Sequence, residues 1–181
     1  HDVGFMWMHT AVANYRLTGN PVSRRRGLHA AGLLAGRFNC AGKFIRAWNL
    51  DKTGWMIVDC MMNLSLLYWA GEETGDPRYC QIANMHGDTA MRELMRPDGS
   101  CNHIVVFDPE TGAVAEKPEG QGYGPGSSWS RGQAWALYGF TLAFLHTGRQ
   151  EYLDTAKRAA HYFIANVAMT DYVSLVDFRA P

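Results

Sequence analysis

The sequence predicts an all-α fold, an (α/α)6 toroid of helical hairpins, of which these 181 residues supply about three hairpins and a small β-hairpin insertion. Three observations predict it. A Thr-Gly turn recurs at Thr18-Gly19, Thr74-Gly75 and Thr147-Gly148. The helix before each turn is apolar almost all round and the helix after it is one-sided, so buried inner helices alternate with amphipathic outer ones. Polar residues sit on the inner helices at one repeated phase. Six such pairs close a ring and three do not. The chain also starts without Met and is patterned to both ends, so it is expected to be an internal piece (1–181) of an α/α barrel whose first and last hairpins lie elsewhere.

The first inner helix is expected over 3–15, ending at Thr18-Gly19-Asn20-Pro21. Gly supplies the left-handed C-cap, Asn caps the next helix and Pro suits its first turn. The first outer helix then runs over 21–38 and carries Arg24, Arg25 and Arg26. Residues 44–48 and 55–58 read as short strands. The second inner helix follows over 59–72. It contains Cys60 and the Met61-Met62 pair, read as small and adaptable packing residues. After Thr74-Gly75-Asp76-Pro77 comes an outer helix over 77–95.

A β-hairpin is expected from 102–107 and 113–117 around Asp108-Pro-Glu-Thr-Gly112. This insertion lengthens the third unit: Thr18 to Thr74 is 56 residues, Thr74 to Thr147 is 73. The Gly-rich segment Gly120-Gln121-Gly122-Tyr123-Gly124-Pro125-Gly126 leads into the third inner helix over 130–146. It matches neither a dinucleotide fingerprint nor a P-loop. The last outer helix, over 151–166, places Ala156, Ala159, Ala160 and Phe163 at helical spacing. A further short strand is expected over 173–178.

Composition excludes several classes of function. Seventeen basic residues balance seventeen acidic ones, which leaves no electrostatic footprint for nucleic acid or an anionic membrane surface. No apolar run reaches the roughly 18–20 residues of a membrane span. Four cysteines without a C-x-x-C pair argue against a zinc site and tilt the setting toward a reducing compartment. The expected location is therefore cytoplasmic, with a periplasmic one as the alternative.

Repeat phase selects the candidate site. Asp2 lies 16 residues before its turn threonine, Asp59 lies 15 before, and Arg131 lies 16 before. All three fall at the starts of successive inner helices, which crowd one mouth of a toroid. Asp near a helix start is commonly a cap or a dipole partner. An arginine there opposes the dipole and points to an anionic partner. Trp129 and Trp135 flank Arg131 and offer faces for sugar stacking, although tryptophan is more often core. His103 at a strand start and Gln121 in the Gly-rich loop are structural residues or substrate contacts. His1, Asn63 and Tyr123 are further candidate neighbours.

These residues carry a resemblance. The stretches His1-Asp2-Val-Gly-Phe5, Ile57-Val-Asp59-Cys-Met-Met-Asn63-Leu and Leu67-Tyr-Trp-Ala-Gly-Glu-Glu-Thr-Gly-Asp76 resemble the unsaturated glucuronyl hydrolases, glycoside hydrolase family 88. So do His103 with Phe107-Asp-Pro109, Gln121-Gly122, Ser128-Trp129-Ser-Arg131-Gly-Gln-Ala-Trp135 and Val176-Asp-Phe178. The resemblance implies a six-hairpin barrel and no metal or organic cofactor. It implies that Asp59 is the general acid and base, that Asp2 is a second essential carboxylate, and that His103, Gln121, Arg131 and Trp135 line the substrate pocket, with Trp129 in the same motif.

The implied substrate is a lyase-generated di- or oligosaccharide with a 4,5-unsaturated uronic acid at its non-reducing end. Its double bond is a vinyl ether, which is hydrated so that the sugar is released. Two readings compete with it. One is an unsaturated rhamnogalacturonyl hydrolase, against which His1-Asp-Val-Gly-Phe5 argues. The other is a non-catalytic helical-repeat fragment.

Overall fold

The computed structural model describes residues 2–181; His1 lies outside the described residues. The first inner helix is continuous but not uniform. It comprises α1 (Val3–Trp7), a π-helical turn (Met8–Val12) and α2 (Ala13–Thr18). Its outer partner is α3 (Pro21–Ala35). The second pair is a 3-10 segment (Val58–Asn63) running into α4 (Leu64–Thr74), followed by α5 (Pro77–Glu93). The third pair is α6 (Ser130–Thr147) and α7 (Gln150–Val167). Three helical hairpins are thus present, as the turn repeat requires.

The turns close by one repeated module. Gly19, Gly75 and Gly148 adopt φ of 70°, 72° and 68°, the left-handed region that only Gly enters without strain. Each preceding threonine works in two directions. Its Oγ1 donates to the carbonyl four residues back, at 2.7 Å for Thr18, 2.6 Å for Thr74 and 2.7 Å for Thr147. The same oxygen accepts the N–H two residues ahead, at 3.2 Å in all three turns. Asn20 and Asp76 then cap α3 and α5 through their side chains, with Pro in the first turn of each helix. The third turn has Arg149 at that position, which makes no side-chain cap. Its guanidinium instead meets Asp88 at 2.8 Å and Glu151 at 2.7 Å.

One apolar core runs through all three hairpins, and Leu34, Phe44, Leu66, Leu67, Phe140 and Tyr152 are among its fully buried members. Glycines let the neighbouring inner helices press against the 3-10 segment. A Cβ on Gly4 would lie 2.5 Å from the Asn63 carbonyl, and one on Gly139 would lie 2.7 Å from the Met61 carbonyl. Asn63 is fully buried, and its Oδ1 accepts the Phe5 N–H at 2.8 Å, which ties the first inner helix to the second.

Two small antiparallel sheets lie beside the helices. β1 (Phe38–Asn39) pairs with β2 (Phe44–Ile45). β3 (Trp55–Ile57), β4 (Ile104–Phe107) and β5 (Val114–Glu116) form the second sheet, with a bulge at Val106/Phe107.

Some expectations need correction. The helix expected over 21–38 stops at Ala35, and Phe38 turns back as a strand. The Arg37 side chain holds this reversal by donating to the carbonyls of Arg46 at 3.0 Å and Ala47 at 2.9 Å. Segment 58–63 is 3-10 rather than α. Its tighter winding covers more length per residue, which absorbs the count of 15 rather than 16 residues from Asp59 to Thr74. Residues 173–178 are not a strand; they make only an isolated bridge between Asp177 and Trp129. On α7 the buried stripe is Tyr152, Thr155, Ala156 and Ala159, while Ala160 and Phe163 are half-buried.

Candidate active site

The starts of the three inner helices open onto one cleft of about 390 Å³. It is lined by Asp2, Trp48, Ile57, Asp59, Met62, His103, Gln121, Arg131 and Trp135. Asp59 enters from the 3-10 segment and Asp2 from the residue before α1. Arg131 and Trp135 stand one turn apart on the first part of α6. His103 precedes β4, and Gln121 comes from the Gly-rich loop.

Asp59 is only 9% exposed. Its Oδ2 lies 3.3 Å from His103 Nε2, but the two are not aligned as a hydrogen bond, and both buried atoms lack a hydrogen-bond partner. A buried carboxylate oxygen left without a hydrogen bond is expensive for stability, and a residue that keeps one at the wall of a cleft is a candidate for chemistry. The other ring nitrogen of His103 is committed: Nδ1 accepts the Gln121 backbone N–H at 2.9 Å. In a neutral imidazole the remaining proton then sits on Nε2, facing Asp59.

Arg131 Nη2 donates to Gln121 Oε1 at 2.8 Å. The Trp129 ring lies under the Arg131 guanidinium at 4.6 Å and beside His103, with ring centroids 4.7 Å apart. Trp129 is buried and does not line the cleft; it backs two residues that do. Trp135 presents a ring to the cleft and packs edge-on against Phe5 at 5.5 Å. Asn63 likewise acts from behind, by tying the helices together. Tyr123 is exposed and borders a separate hollow with Leu175 and Val176.

Six of the seven sequence-selected residues therefore converge on the cleft, and Trp129 stands behind it. Trp48 was not selected by sequence reasoning. It leaves the β2 strand in a loop where Lys52 sits over its ring at 5.3 Å and over that of Trp55 at 4.6 Å. The available signal was a tryptophan beside the polar run Asn49-Leu-Asp51-Lys52, a poor place for a purely core ring. The arrangement offers a sequestered carboxyl for proton transfer, a guanidinium paired with an amide for an anionic group, and two indole faces for a ring.

Comparisons with known proteins give the chain's family and support its fold. The model of Glycosyl Hydrolase Family 88 matches residues 4–178. The chain is 40% identical to an unsaturated glucuronyl hydrolase from Bacillus sp. (strain GL1), over all of this chain and 49% of that protein. It is 38% identical to an unsaturated chondroitin disaccharide hydrolase from Streptococcus pyogenes serotype M1, over 98% of this chain and 45% of that protein. It superimposes on the crystal structure of the Bacillus sp. GL1 hydrolase, described as responsible for the degradation of glycosaminoglycan, with a TM-score of 0.96. A variant of a Streptococcus agalactiae unsaturated glucuronyl hydrolase in complex with dGlcA-GalNAc6S matches with a TM-score of 0.78 and 32% identity, over 98% of this chain and 42% of that one. The chain spans about half the length of the curated relatives it matches.

Proposed function

Because the chain belongs to Glycosyl Hydrolase Family 88, we propose that it forms the catalytic cleft of an unsaturated glucuronyl hydrolase. The substrate is a di- or oligosaccharide ending in a 4,5-unsaturated uronic acid, of the kind bound by the Streptococcus agalactiae relative. Asp59 gives its proton to C4 of the vinyl ether. Positive charge develops at C5, where the ring oxygen stabilises it. Water adds at C5 and returns a proton to Asp59. The hemiketal that results opens and releases the neighbouring sugar. Since no acetal is displaced directly, the carboxylate spacing that separates retaining from inverting glycosidases does not apply.

The other lining residues have matching roles. Arg131, held by Gln121, receives the uronate carboxylate as a charge-assisted pair. Trp135 and Trp48 flank the sugar ring. Asp2 is the second carboxylate at the reacting end, and the Nε2 proton of His103 faces Asp59 when it is ionised. A cytoplasmic setting suits four cysteines that are all free thiols.

The observation that carries this reading is Asp59 itself: the residue lines the cleft while its buried Oδ2 has no hydrogen-bond partner. Asp59→Asn keeps the shape and removes the titrating proton. With unsaturated chondroitin disaccharide as substrate, the variant is expected to lose at least about a thousandfold in turnover, within the range of general acid–base catalysis. Turnover is followed as the decline in ultraviolet absorbance of the conjugated uronate, and binding is expected to persist. Near-normal turnover by Asp59→Asn would refute the assignment. Activity on unsaturated rhamnogalacturonan disaccharide alone would refute the substrate class.

A further inference from the structure

We propose that Asp177 is a positioning residue for this reaction: its carboxylate staples the Gly-rich loop so that the Gln121 N–H holds His103 with its Nε2 proton facing Asp59. The proposal rests on the hydrolase reading above and adds a residue outside the cleft. Asp177 is 3% exposed and belongs to no helix or strand. Its Oδ1 accepts the backbone N–H of Ser128 at 2.9 Å and of Arg179 at 2.8 Å. Its Oδ2 accepts the N–H of Tyr123 at 2.9 Å. Three main-chain donors on one buried carboxylate account for both of its oxygens. Tyr123 lies two residues after Gln121 within the loop and Ser128 just past its end, so the staple anchors the loop directly behind Gln121.

The same segment also sets the start of α6. Phe178 N–H donates to the Ser128 carbonyl at 2.9 Å, and Ser130 N–H donates to the Val176 carbonyl at 3.0 Å. Arg179 extends the clamp to the Gly126 carbonyl at 3.0 Å and to Asp98 at 2.5 Å. Burial pushes the Asp177 carboxyl up, but the three N–H groups and Arg179 outweigh it and leave it below the usual carboxylate range. It is therefore charged near neutral pH.

The loop is pressed tight on either side of Gln121. A side chain at Gly120 would collide with the His103 ring, and one at Gly122 would collide with Ser127 and crowd Asp177 Oδ2. Two contacts pass from the loop into the cleft, Gln121 N–H to His103 Nδ1 and Gln121 Oε1 to Arg131. If the first is lost, His103 is released to its other tautomer, which turns a lone pair instead of a proton toward Asp59. That change acts on the proton-transfer step more than on substrate binding.

The test uses the protein expressed from the complete reading frame that encodes this chain. Asp177→Asn preserves volume but cannot accept hydrogen bonds at both positions. Gly122→Ala strains the same staple with Asp177 intact, and serves if the first variant fails to fold. Each is expected to lower kcat at least tenfold and to change KM less than threefold. In ¹⁵N-histidine spectra, the His103 signals are expected to move from the Nε2-protonated pattern toward a mixture of tautomers. Unchanged kcat, or a fall in kcat with the His103 pattern intact, overturns the proposal. If wild-type protein does not turn over the unsaturated disaccharide, the hydrolase reading fails. The spectra of the two variants then still decide whether the staple sets the tautomer.

Discussion

At the scale of single residues, the buried polar groups divide into those that serve the cleft and those that serve the core. Asp59 and His103 approach each other beside open space, whereas His86 is sealed within the core on α5. His86 Nδ1 accepts the Ile45 N–H at 2.9 Å and its Nε2 has no partner. Burial pushes its pKa down to about 3, below the roughly 6.5 of an exposed histidine. The folded state therefore resists a proton that the unfolded chain accepts. Stability from this residue is complete above about pH 6.5 and declines as the pH falls toward 3, by at most about 1.4 kcal/mol per pH unit. Urea midpoints of wild type and His86→Gln should converge between pH 6.5 and 4.5; parallel curves would remove His86 as the cause. Asp2, Asp59 and Arg131 were legible in the sequence because they interrupt apolar helices at one repeat phase. Trp48 was not, because its position depends on the Arg37 latch and the Lys52 contact, which join residues by folding rather than by periodicity.

At the scale of elements, the hairpins were legible because their signals are local: an apolar run, a Thr-Gly stop and a capped amphipathic start. The deviations arise where tertiary contacts override those signals. The start of the second inner helix winds as 3-10 where the Gly4 and Gly139 contacts bring neighbouring helices against its backbone. Residues 173–178 look like a strand by composition but have only Trp129 and its neighbours to pair with. Two glycines should respond differently to alanine. At Gly75 nothing lies within 4 Å of the added carbon, so the cost is that of the left-handed backbone alone, about 1–2 kcal/mol, with cleft geometry unchanged. At Gly139 the added carbon meets Met61, so a comparable or larger stability loss should come with a lower kcat. Chemical denaturation together with disaccharide turnover separates the two; equal effects on kcat would contradict this account.

At the scale of the molecule, large apolar residues are exposed on both flanks of the three-hairpin unit. Met6, Leu17 and Leu33 show on the side of the first hairpin, and Leu145, Ile164, Met169 and Val173 on the side of the third. Exposed large apolar side chains in such number favour association. The 181-residue chain prepared alone should therefore bind a hydrophobic dye such as ANS and sediment as more than a monomer; a monodisperse, dye-silent monomer would show that these flanks are not sticky. The turns and the cleft also differ in how far along the chain their bonds reach. Each Thr-Gly turn closes through bonds within four residues. The cleft is held by bonds that bridge 10 residues at Arg131–Gln121, 18 at Gln121–His103, 54 at Tyr123–Asp177 and 58 at Phe5–Asn63. A short closure re-forms almost as soon as it opens, whereas a long one must be searched for again against the entropy of the intervening chain. On gentle heating the mouth of the cleft should therefore come apart while the hairpins still stand, and the proposed turnover should fade before helicity does.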